Sequence, residues 1–443
     1  MTGMRTYDNH TQLHTMSGVV AVTATPPCVP AQAEALPWLC SQLRLGEGLR
    51  ELFVDLHGKA TNAVPNNFAE VGRLTQLETL QLQRIAVDAS REQLSAALSP
   101  LTGLTRLDLR FDNDAFDRAE GMPSFPLEAT VCGLTNLQEL YVSSDTYQSY
   151  HMLTGALSGA LSQLTTLRRL DIDGMQECGD IDHSDELQLA ALPVLETAAL
   201  LLHTRCGHYP SLSRVQQVTL SRVVSLSLAL LYDEDETYDA TYLPAIIAPA
   251  LTELVWDEIN LAPESEQLSW LPDLPQLRRL VLTDVSTASS QLPQGVLACS
   301  GLRELVVERF LIGCSMQGQY SDRPAVRLRS FPAAGAHLSQ LVRLGLSGNA
   351  LSAVPPCLAA ATLLEVLDMG KQRLGEHGSD QHGKPLHGLE VLNGLSRLRY
   401  ANFFGFHMSA ADYRLFQVAH PELNPDWNDG PRRYNIWRRQ NIW

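Results

Sequence analysis

The chain has 443 residues, 45% of them apolar and 19% charged, enough material for a substantial core. Its formal net charge of −16 excludes a general binder of nucleic acid or of anionic membranes, because phosphates demand clustered Lys and Arg. No stretch approaches the roughly 18 uninterrupted apolar residues of a membrane span, so none is expected.

Taken from the N-terminus, residues 1–17 lack a basic region followed by an apolar run, so they read as a disordered tail and not as a signal peptide. Residues 18–45 hold "GVVAVTAT", a strand by its β-branched content, and "AQAEALPWLCSQL", its helical return. This segment is predicted to be a degenerate first repeat or an N-terminal cap. The eight cysteines contain no C-x-x-C pair, which is the usage of reduced thiols in a cytoplasmic protein.

From residue 46 the pattern L-x-x-L-x-L takes over. It starts thirteen times, at Leu49, Leu77, Leu104, Leu137, Leu167, Leu195, Val223, Leu251, Leu277, Leu302, Leu341, Leu364 and Leu398, with starts 23 to 39 residues apart. A helix repeats near 3.6 residues and a strand near 2, so this longer period marks a whole strand-and-return unit copied along the chain. The stretch "LVRLGLSGNALSAVPPCLAAATLLEVLDM" is the most regular, with Asn349 eight residues after its first leucine.

On these residues the chain resembles the leucine-rich-repeat family over residues 46–407. The resemblance implies an α/β solenoid, with a curved parallel sheet on its concave face and helices or 3-10 turns on its convex face. The physics agrees, since one unit cannot bury its apolar edge alone and neighbours about 4.8 Å apart share a leucine core. In this family the asparagine bonds neighbouring loop backbone. The other units carry His57, Ile85, Phe310 or Gln372 and the like at that position, so no continuous asparagine ladder is expected and buried loop amides need other partners.

Between strands, "SREQLSAALSPL" and "MLTGALSGALSQL" are helical in pattern, whereas "AVPNNF", "SQLPQGV" and "AVPPCL" read as tighter, Pro-directed turns. Insertions are expected at about 112–131, 310–336 and 370–393. The acidic, aromatic run "YDEDETYDATY" would follow one strand as a lip. Residues 408–424 are predicted to form a capping helix with Ser409 as its N-cap. Residues 425–443 form a basic, aromatic tail with Arg432, Arg433, Arg438 and Arg439 beside Tyr434, Trp437 and Trp443.

No catalytic chemistry emerges. "GSDQHGKP" imitates a phosphate-binding loop, but Pro385 stands where a Ser or Thr hydroxyl must contact magnesium. His377, His382 and His387 lack zinc-finger spacing; Cys178 and Cys206, with His203 and His208 nearby, are spaced for a disulfide or a zinc site but read as a reduced, partly buried pair. No cofactor, metal or enzymatic activity is expected.

Period-two alternation turns the residues between the leucines to the concave face. A charged zone there comprises Arg106, Asp108, Arg110, Tyr141, Asp171 and Asp173. An apolar strip comprises Ala199, Leu201, Ala229, Val255, Val281 and Val306, with Asp257 and Glu308 beside it. An exposed apolar strip rimmed by charge suits a protein interface. The expectation is a non-catalytic scaffold, monomeric on its own, that binds a protein partner and no nucleic acid. The alternative is a recognition subunit of a ubiquitin-ligase adaptor or of an immune-type signalling receptor.

Overall fold

Each of the thirteen apolar triplets falls on or beside a short strand, and none of their side chains is more than 9% exposed. The computed structural model describes residues 4–7, 11–16, 19–24, 49–55, 68–85, 91–111, 131–144, 163–176, 189, 192–204, 217–232, 245–257, 259–261, 268–287, 291–312, 326–331, 336–372, 384–407 and 409–423. They belong to two units, Met1–Arg214 with Leu220–Glu236, and Val215–Thr219 with Thr237–Trp443.

The first unit is a sheet of β1 (Met4–Tyr7), β2 (Thr11–Met16), β3 (Val19–Ala24), β4 (Glu51–Asp55), β5 (Thr79–Ile85), β6 (Arg106–Phe111), β7 (Glu139–Ser144), β8 (Arg169–Gln176), β9 (Thr197–Thr204) and β10 (Ser225–Tyr232). From β3 to β10 every neighbouring pair is parallel. The expected disordered tail over 1–17 is corrected at its centre, because β1 and β2 pair antiparallel and β2 continues onto β3. The physical reason is the sheet edge. A bare β3 would present a row of unpaired amides and carbonyls, and the hairpin satisfies them. The helical return predicted after β3 lies outside the described residues, as do "MLTGALSGALSQL" up to Ser162 and the acidic run beyond Tyr232.

The second unit stacks β11 (Glu253–Asp257), β12 (Arg279–Thr283), β13 (Glu304–Glu308), β14 (Arg343–Gly345), β15 (Val366–Asp368) and β16 (Tyr400–Asn402), all parallel. Returns are short. They include α1 (Arg91–Leu98) in the first unit, α2 (Gln294–Ala298) in the second, and 3-10 turns such as Pro356–Ala360 and Leu389–Gly394. "SQLPQGV", predicted as a turn, enters α2 after Pro293, whose extended ψ of 134° sets the start. The predicted capping helix is α3 (Ala410–Ala419), and Ser409 Oγ accepts the Asp412 amide at 3.1 Å.

Backbone bonds repeat with the same logic as the leucines. The Glu78 carbonyl accepts from both Thr105 and Arg106 amides, at 2.8 and 3.0 Å, and the same forked bond opens β7, β8 and β9. The first leucine of a repeat donates to the carbonyl three residues earlier, as Leu77 does to Leu74 and Leu104 to Leu101, each at 2.9 Å. The upstream leucines therefore mark a tight turn that aims the chain into the sheet. At the exit, the seventh residue after the first leucine is left-handed in five successive repeats. Asp284, Arg309, Gly348, Lys371 and Gly405 have φ of 52°, 50°, 72°, 53° and 95°. At Gly348 a Cβ would also lie 2.7 Å from Arg309 Cγ, so crowding adds to the backbone preference for glycine there, whereas Asp284, Arg309 and Lys371 take the same bend with side chains.

Asn349 is buried and uses its whole amide: Oδ1 accepts from Phe310 N at 2.9 Å, and Nδ2 donates to Val307 O and Leu346 O at 2.7 and 2.9 Å. One repeat later Gln372 does the same job. Its Oε1 accepts from Leu351 N at 2.9 Å, and Nε2 donates to Leu346 O and Met369 O at 2.7 and 3.0 Å. The other partner that the missing asparagine requires is thus a residue one methylene longer.

Asn349→Ala removes the partner of two buried backbone groups, Phe310 N and Val307 O, while Leu346 O keeps Gln372, and is expected to cost about 2–4 kcal/mol. Gln372→Ala is expected to cost a similar amount. Because both amides donate to Leu346 O and either one alone satisfies it, the double variant is expected to lose more than the sum, read from urea unfolding midpoints. Gly348→Ala is expected to lose about 1–2 kcal/mol by the same measurement, for its left-handed φ and the contact with Arg309.

Candidate functional site

In the first unit, register brings the predicted charged zone together. Asp108 pairs with Tyr141 and Tyr141 with Asp171 across β6, β7 and β8, so the three share one row of the outer face, the face turned away from the leucine core. The row beside it runs Arg106, Glu139, Arg169 in the same three strands. Opposite charges placed opposite each other attract, and here they also frame an aromatic ring. Arg106 Nη1 donates to Glu139 Oε2 at 3.0 Å, and Tyr141 Oη donates to the same oxygen at 3.0 Å. The guanidinium carbons of Arg106 and Arg169 lie 4.7 and 5.1 Å from the centre of the Tyr141 ring. Such cation–π contacts hold a ring in place and charge its surroundings.

Asp108 is only 3% exposed although it faces outward. Gln81 Nε2 donates to its Oδ2 at 2.8 Å, and Arg110 Nε donates to its Oδ1 at 3.2 Å. Asp171 is less well served, with Arg169 Nη2 at 3.9 Å. Burial pushes the Asp171 carboxyl up from the usual range, Arg169 and Arg110 oppose the shift, and Asp108 adds to it. Burial likewise raises the Tyr141 phenol, helped by its bond to Glu139. The phenol therefore stays protonated and remains a donor at neutral pH. Asp173 pairs with Leu201 and Leu201 with Ala229 along the third row; only the backbone of Asp173 and Leu201 is described.

The apolar strip is corrected in its exposure. Ala199 and Val255 are half-buried, but Ala229, Val281 and Val306 are 5%, 8% and 4% exposed. In the second unit Val255, Val281 and Val306 stand directly opposite one another in register. Side chains of that bulk at strand spacing shield each other, and longer groups flank them on both sides. On one side Glu253, Arg279 and Glu304 form an ion-pair row, with Arg279 Nε donating to Glu304 Oε1 at 2.8 Å and Arg279 Nη1 also meeting Glu253. On the other side stand Asp257, Thr283 and Glu308, all half-buried. The row continues as Gly345, Asp368 and Asn402, where Asp368 Oδ1 accepts from Gly370 N and Asn402 Nδ2 at 2.9 and 3.0 Å. That end satisfies itself. The first unit's Tyr141 row, by contrast, holds mutually fixed charges at a half-open face.

Sequence reasoning picked the two outer rows and passed over Glu139, Gln81, Glu253 and Arg279. The signal was present. In two runs of three repeats the residue two after the first leucine alternates in sign, as Arg106, Glu139, Arg169 and again as Glu253, Arg279, Glu304. Among the described residues no group of three His, Cys, Asp or Glu could hold a metal ion. His377, His382, Cys178, Cys206 and His208 lie outside the described residues. No helix among the described residues is long and apolar enough to cross a membrane.

Strands stacked in parallel register, a leucine core and amide rungs give this chain a solenoid fold of the leucine-rich-repeat type. No protein-family model matches it, and neither does any curated protein. Among solved structures, an internalin from Listeria monocytogenes is 16% identical, covering 83% of each chain with a TM-score of 0.42. A leucine-rich-repeat protein of Leptospira interrogans is 16% identical over 85% of this chain and 95% of its own, with a TM-score of 0.34. A chain of the Drosophila Toll–Spatzle complex is 12% identical over 94% of this chain and 55% of that one, with a TM-score of 0.44. At these values the likenesses carry no argument about function.

Ionised Asp171 is a stability cost, because a folded carboxyl pushed above its unfolded value of 3.8 prefers its proton. Stability from this group is gained as pH falls through the raised folded value, is complete below 3.8, and is absent at neutral pH. Asp171→Asn is therefore expected to raise the urea midpoint at pH 7, and the advantage over the parent is expected to vanish below the ordinary carboxylate range.

Proposed function

We propose that the chain is a non-catalytic interaction scaffold that binds a protein partner through the outer face of its first unit, centred on Tyr141. The observation that carries this reading is the double guanidinium contact on Tyr141, with Glu139 holding its hydroxyl. Tyr and Arg dominate binding hot spots because they combine large contact area with directed hydrogen bonds. Their positions here are fixed in advance, which lowers the ordering cost of association. Asp171, retained at a cost to stability, is the carboxylate in this row that a partner's cation would complete. Arg106, Asp108 and Arg110 supply the charged surround, Asp173 and Leu201 extend it along β8 and β9, and Ala199 and Ala229 give it a flat apolar margin. In the second unit, Val255, Val281 and Val306, between the row of Glu253, Arg279 and Glu304 and the row of Asp257, Thr283 and Glu308, are the secondary contact surface of this reading.

The same reading makes the protein monomeric and cytoplasmic, without cofactor or nucleic-acid ligand. Burial pushes the thiols of Cys299 and Cys357 up to about 12 and about 11, so these two stay protonated and unreactive, as packing residues do.

Affinity capture with the parent and with Tyr141→Ala tests the reading. Loss of a hot-spot aromatic is expected to lower partner recovery more than tenfold. Arg397→Ala, in the exposed turn before β16, is expected to leave recovery unchanged. Equal recovery by parent and Tyr141→Ala overturns the proposal.

A further inference from the structure

The helix α3 buries one side against the end of the second unit. Phe416 meets Phe403 edge-to-face at 5.9 Å, and His420 Nε2 lies 2.9 Å from the Leu392 carbonyl. Its other side is open, with Leu415 64% and Val418 81% exposed and Ala411 exposed beside them. Positions 411, 415 and 418 follow helical spacing, so they line up as one apolar stripe. An exposed stripe of this kind on a capping element is open to a short apolar segment.

The occupant is written in the chain itself. Residues 432–443 read RRYNIW followed by RRQNIW, the same hexapeptide twice with a single difference, Tyr434 against Gln440. Six is even, so in an extended segment both tryptophans share one side and both isoleucines the other. The formal charge of −16 divides into +4 over residues 431–443 and −20 over the rest, so a cationic segment is tethered to an acidic body. From Leu423 the eight residues 424–431 reach up to about 26 Å when extended, further than the roughly 15 Å length of α3. A short tether of that kind holds its end at millimolar effective concentration, ahead of any external anionic partner.

We propose that the duplicated hexapeptide covers the Ala411–Leu415–Val418 stripe of its own molecule, an Ile-Trp pair resting on the stripe and the arginines beside Asp412 and Glu422. Two copies give the stripe two interchangeable occupants, and the unbound copy stays available.

Hydrogen–deuterium exchange on the full chain tests this, comparing the parent with the double variant Leu415→Lys, Val418→Lys and with Trp437→Ser, Trp443→Ser. In the parent, amides of 434–443 are expected to exchange roughly tenfold more slowly than in either variant, with the same protection at low and high protein concentration. The tryptophan pair keeps the test valid if the lysines disturb α3. Absent protection in the parent, or protection that survives in the tryptophan variant, overturns the proposal, as does protection that grows with concentration, which assigns the stripe to a second copy. Sedimentation with phosphatidylserine vesicles adds a second readout. A Leu415→Asn, Val418→Asn variant, which releases the tail without adding positive charge, is expected to bind them more than the parent does; equal binding overturns the proposal.

Discussion

No repeat of this chain can bury its own leucines, and that dependence on the next repeat organises everything else. A strand of three to eight residues with one apolar edge is unstable alone. Laid beside its neighbour in register, it hides that edge, and its amides find carbonyls on both sides. Register then carries the outward residues with it. Arg106, Glu139 and Arg169 meet because Leu107, Leu140 and Leu170 do. The candidate interface is a by-product of core alignment, in which each strand contributes one side chain per row.

This explains what the sequence made legible. The thirteen strands, their core residues, the capping helix and its N-cap could all be read, since each rests on a local periodicity or on one residue's chemistry. Asp108, Tyr141 and Asp171 could be placed in one row for the same reason. Exposure could not. Val281 and Val306 point outward as predicted, but whether water reaches them depends on the reach of Arg279, Glu304 and Glu308 from adjacent rows. The hairpin of β1 and β2 was also hidden, because "MRTY" and "TQLHTM" carry no strong pattern and are ordered by the edge they cover. Gln372 escaped notice as a rung because it is not asparagine, although its amide is chemically the same.

The two charge rows differ in what they leave undone. In the second unit Arg279 is shared by two glutamates, and Asp368 is closed by a glycine amide and Asn402. In the first unit the ring of Tyr141 is clamped, yet Asp171 keeps only a distant guanidinium. Polar networks that are complete contribute rigidity, and incomplete ones invite a ligand.

The left-handed residue at the exit of the last five repeats has a further meaning for how such a chain can change. Between the first leucine and that residue the count never varies from Asp284 to Gly405, whereas the return that follows differs widely in length. Adding one residue ahead of the bend would swap inside for outside along that strand, throwing leucines into water and charges into oil. The same addition behind the bend would merely lengthen a loop. Growth in this architecture is therefore permitted in one half of each module and forbidden in the other.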